Sequence, residues 1–62
     1  MSKTLAAEIA SRTLEVVNPA NRVMALNAAL QRHGFAASGT PPELSDRTAL
    51  VAWLLATYAP AG

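Results

Sequence analysis

Residues 49–56 read Ala-Leu-Val-Ala-Trp-Leu-Leu-Ala, an unbroken apolar run. In a chain of 62 residues with no cysteine, that run restricts the available folds. A membrane-spanning helix takes about 20 apolar residues, so the run is too short to cross a bilayer. It is also flanked by few cations, which argues against a helix lying on a membrane surface. Alanine, the best helix former, occurs 14 times, while the β-branched apolar residues are four valines and Ile9. Strands favour β-branched and aromatic residues, so the run reads as helix and the chain as all-α.

The spacing predicts that this helix covers residues 46–58. Ser45 is the expected cap, and Asp46 places a negative charge at the positive end of the helix dipole. Pro60 and Gly62 close the chain after it. Through its middle the helix has no polar face. Either it is the buried centre of the domain, or its second face is covered by another chain. At 100° per residue, Leu50, Trp53 and Leu54 share one side, expected to face inward. Val51, Leu55 and Tyr58 share the other, and left uncovered they would form the sort of patch that monomers avoid.

Two further helices precede it. Residues 4–17 place Leu5, Ala6, Ile9, Thr13, Val16 and Val17 on one side, with Leu14 off the stripe. Ser2 or Thr4 can cap its start, and Glu8 and Arg12 have the spacing of an exposed ion pair. Asn18-Pro19 ends that helix and begins the next, because Asn is a strong cap and Pro suits the first helical position. The second helix covers residues 19–33. Its expected stripe is Val23, Leu26 and Leu30, with Ala20 and Asn27 on the same side and Ala25 facing away. Asn27 is then an edge amide reaching solvent, or a specificity device at a helix interface. Gly34 is a left-handed stop, and Phe35 packs back on the last turn. In the linker, Thr40-Pro41-Pro42-Glu43 has capping-box spacing, so a short helical turn is expected at residues 41–44 with Leu44 inward.

The chemistry-bearing residues are few. Glu8 and Glu15 lie on a wet helix face, and Glu43 and Asp46 suit capping, so no carboxylate pair faces a cleft. Ser38, His33 and Asp46 could in principle assemble a triad, but no nucleophile elbow surrounds them. No glycine-rich phosphate loop is present. One histidine and no cysteine offer no metal cluster. These readings leave no enzyme, no cofactor and no metal.

The net charge of +1 is not the basic excess of a protein living on phosphate contacts. Arg22, Arg32 and Arg47 are the candidates for nucleic acid, in a faint likeness to a helix-turn-helix. The linker is much longer than the usual turn, and the would-be reading helix is apolar, so this is the weaker alternative. Val51, Trp53, Leu55 and Tyr58 are the interface candidates, since Trp and Tyr are enriched at binding hot spots. The expected function is a small interaction or regulatory protein, acting through its last helix on a second copy or another protein. A chain this small sits near the edge of stability, which also favours a homodimer or a permanent partner. The absence of a signal-peptide pattern points to the cytoplasm. The alanine and arginine bias points to a bacterial or phage source, and Met1 to a complete chain.

Overall fold

The computed structural model describes residues 1–59 and contains three helices: α1 (Lys3–Glu15), α2 (Pro19–Arg32) and α3 (Arg47–Thr57). Among the described residues there is no strand, so the all-α, three-helix expectation holds. Pro60 and Gly62, read as closing the chain, lie outside the described residues.

Each helix starts on a side-chain oxygen that serves an otherwise unpaired backbone N–H. Ser2 Oγ accepts from Leu5 N at 3.1 Å, and Asn18 Oδ1 from Ala20 N at 3.0 Å, with Pro19 opening α2. The cap of α3 is Asp46, one residue later than the expected Ser45. Its Oδ1 accepts from Thr48 N at 3.0 Å and Ala49 N at 3.2 Å. A carboxylate serves two donors there and also meets the positive end of the dipole, which a hydroxyl does not. At the end of α2, Gly34 adopts φ +82°, and Phe35 N donates to Leu30 O at 2.9 Å, as the glycine stop predicts.

Beyond one-residue shifts at other helix ends, the expected boundaries fail in two places. Helix α1 stops at Glu15, and residues 16–18 form a tight reversal that leaves Val17 90% exposed instead of on the inner stripe. The helical turn expected at residues 41–44 is absent; only a turn at Leu44 and Ser45 occurs, with Ser45 N donating to Glu43 O at 2.9 Å. Pro41 and Pro42 lack N–H groups, and Pro42 disfavours the α conformation at Pro41. Leu44 nevertheless packs on the core as expected.

The central helix is α1, not α3. It packs on both other helices, while the backbones of α2 and α3 stay apart. The reason is size. Ala6 and Ala10 are fully buried, and such short side chains let neighbours approach α1 from two sides. The core is Ala6, Ile9 and Ala10 from α1, Leu26, Ala29 and Leu30 from α2, and Leu50 and Leu54 from α3. The inner face of α2 is rotated from the expected stripe. Val23, Ala20 and Asn27 are exposed, whereas Ala29 is buried and Ala25 half-buried. Asn27 is thus the solvent-reaching amide of the two readings. Small residues again permit closeness to α1, and Arg22, on the same inner side, is held there by hydrogen bonds described below.

Thr13 is the one buried polar side chain among the described residues, and its Oγ1 has no hydrogen-bond partner. A buried hydroxyl without a partner costs about 1–3 kcal/mol. Thr13→Val keeps the branched shape and removes the unpaired group. It is expected to raise stability by about 1 kcal/mol, a gain of about 4–8 °C in Tm for so small a domain. Thermal unfolding followed by circular dichroism checks this; a lower Tm would contradict it.

Candidate functional site

Helices α1 and α3 run antiparallel. At one end the Met1 ammonium donates to the Tyr58 carbonyl, and at the other Arg47 Nε donates to Ser11 Oγ at 3.1 Å. Along the outer side of this pair lies a groove of about 660 Å³. Lys3, Thr4 and Ala7 line it from α1, and Arg47, Thr48, Val51, Ala52 and Leu55 from α3. Its lining is mainly apolar and includes two small residues, Ala7 and Ala52. The charged side chains in its lining are both cations, Lys3 and Arg47.

The unpolarised third helix explains the groove. Leu50 and Leu54 are fully buried in the shared core, so one side of α3 is satisfied. The side carrying Val51 and Leu55 meets only the edge of α1 and stays half-buried. The four interface candidates therefore separate. Val51 and Leu55 line the groove, while Trp53 and Tyr58 join Phe35 in an aromatic cluster. The Tyr58 ring lies edge-to-face with Phe35 at 5.4 Å and with Trp53 at 5.9 Å. The Tyr58 hydroxyl donates to Ala36 O at 3.0 Å and accepts from Ser38 N at 3.2 Å. Tyr58 thus clasps the linker to the end of α3. Trp53, expected to face fully inward, is only half-buried.

The three arginines are not gathered on one element face. Arg22 Nε donates to Val16 O at 2.9 Å and its Nη1 to Leu44 O at 2.7 Å. It ties the end of α1 and the linker to the first turn of α2. Arg32 is exposed in the last turn of α2, about 15 Å further along the axis. Arg47 is exposed at the start of α3 and holds Ser11.

The acids are dispersed as well. Glu8 pairs with Arg12 at 3.4 Å, Asp46 caps α3, and Glu43 lies in a second groove with Pro19, Val23, Pro41 and Pro42. Among the described residues no hydrogen bond joins Ser38, His33 and Asp46, and no group of three metal-ligating side chains gathers. Among the same residues no helix is long and apolar enough to cross a membrane.

Sequence reasoning located Val51 and Leu55 but missed Ala7, Ala52, Thr48 and Lys3. The signal was available in part: Ala52 and Ala56 sit between the large residues of α3, so that side is low relief. Placing Ala7 beside them required knowing which face of α1 meets α3. No family model matches the chain, and no curated protein or solved structure matches it.

Proposed function

We propose that the protein is a small cytoplasmic interaction or regulatory module that docks a partner protein in the groove between α1 and α3. The observation carrying this reading is the half-covered α3: Val51 and Leu55 stay half-buried and line an open groove together with Ala7 and Ala52. Concave apolar surface with a polar edge is the form that recognition sites take. The commitment of Arg22 to two carbonyls favours a protein partner over nucleic acid, since it removes one of three candidate phosphate contacts.

The test is site-directed photocrosslinking in the native cells. A benzophenone amino acid replaces Ala52 in the groove, or Ala28 on the exposed side of α2 as the control. The expected result is one discrete adduct from position 52, absent from position 28 and abolished by Leu55→Asp. Circular dichroism of Leu55→Asp must show retained helix. Equal adducts from both positions, or none from position 52, would overturn the reading.

A further inference from the structure

The groove's electrostatics go further than its shape. Both charged residues in its lining are cationic, and every acid of the chain lies outside it. Glu8 faces Arg12, Asp46 serves two backbone donors, Glu43 borders the other groove, and Glu15 ends α1. Lys3 marks one end of the groove. Arg47 marks the other, where it touches Ser11. Lys3 and Ser11 are eight positions apart on α1, so the two cations stand about 12 Å apart along the helix axis. Between them lie only Thr4, Thr48 and apolar side chains.

We infer that the occupant is an amphipathic helix of another protein, with an apolar stripe flanked by two acidic residues seven or eight positions apart. This inference rests on the docking reading above. A groove between antiparallel helices receives a third helix through large side chains at i, i+3, i+4 and i+7, seated in low-relief positions such as Ala7 and Ala52. Acids spaced by seven or eight positions, at 1.5 Å each, match the span of the cations. A second copy of this chain does not have that pattern. The exposed side of α2 has no acid, and α3 has none. Between Glu8 and Glu15 on α1, the exposed side holds Ser11 and Arg12 in place of an apolar stripe.

The experiment uses two labelled helical peptides of about 15 residues, the length at which an isolated helix becomes tenable. Both carry leucines at i, i+3, i+4 and i+7. One has two glutamates seven positions apart beside that stripe, and the other has lysines there. Fluorescence anisotropy is read against the intact chain at low and high salt. The glutamate peptide is expected to bind about tenfold more tightly, since two exposed charge pairs turn from attractive to repulsive. Salt should shrink the difference, and Lys3→Glu, which leaves the core untouched, should abolish or reverse it. Equal binding of both peptides would overturn the inference while leaving the groove as a docking site. Binding of neither would overturn it as well, and crosslinking at position 52 then decides the docking reading separately. A sedimentation mass of a dimer, reduced to a monomer by Leu55→Asp, would overturn it in favour of a second copy.

Discussion

Leu54→Ala is expected to remove about half of the chain's folding stability. Leu54 is fully buried, and with Leu50 it provides the two completely buried side chains of α3. Truncating a buried leucine costs about 2–5 kcal/mol, from lost transfer energy and the cavity left behind. A domain of this length has about 3–9 kcal/mol in total. The site is poorly able to collapse, because its neighbours on α1 include alanines that have no reach to fill a void. Urea unfolding followed by circular dichroism should show a midpoint far below the parent's. A cooperative transition within about 1 kcal/mol of the parent would contradict the anchoring of α3 through its two buried leucines.

Arg22→Met should cost about 2–3 kcal/mol and expose the linker to proteases. The guanidinium reaches two carbonyls that no other side chain among the described residues serves: Val16 O at the reversal and Leu44 O before α3. Hydrogen bonds from charged donors contribute about 1.5–3 kcal/mol each, and the half-buried setting reduces that figure through solvent screening. Methionine keeps the apolar stem, so the loss reports the bonds and not the packing. Arg22→Lys should recover only part of the loss, because an ammonium on a flexible stem does not fork across two acceptors. Limited proteolysis should cut faster between residues 36 and 45 in Arg22→Met. An unchanged cleavage rate would show that the linker is held by Tyr58 alone.

What the sequence made legible was local. Ser2, Asn18, Pro19 and Gly34 announce helix ends because caps and stops depend on neighbours a few positions away. Leu26, Leu30, Leu50 and Leu54 announce the core because they are large apolar residues four positions apart on their helices. The rest depended on tertiary choices. Periodicity placed Val23 inward, but Ala25 and Ala29 won the contact with α1 because a close approach needs small residues. The apolar density of α3 suggested a central position. That position goes to α1, whose alanines admit two neighbours. Arg22 read as a spare cation, since a bond to a carbonyl in a distant segment leaves no trace in local pattern. The groove was half-legible for the same reason: Val51 and Leu55 belong to one helix, while Lys3 and Ala7 enter from another.

The central place of α1 sets an order of assembly. Residues 16–18 separate α1 from α2, so their pairing closes a very short loop. The α1–α3 pairing joins positions as far apart as Ser11 and Arg47, 36 residues along the chain. Loop-closure entropy therefore opposes the docking of α3 more than the α1–α2 pairing. The α3 backbone approaches only that of α1, and its other ties are core side chains and the Tyr58 clasp, so it is the first element to detach in partial unfolding. The groove exists only while α3 is docked. A partner seated there binds the complete fold and not the opened one, so its occupancy and the integrity of the chain are a single linked equilibrium.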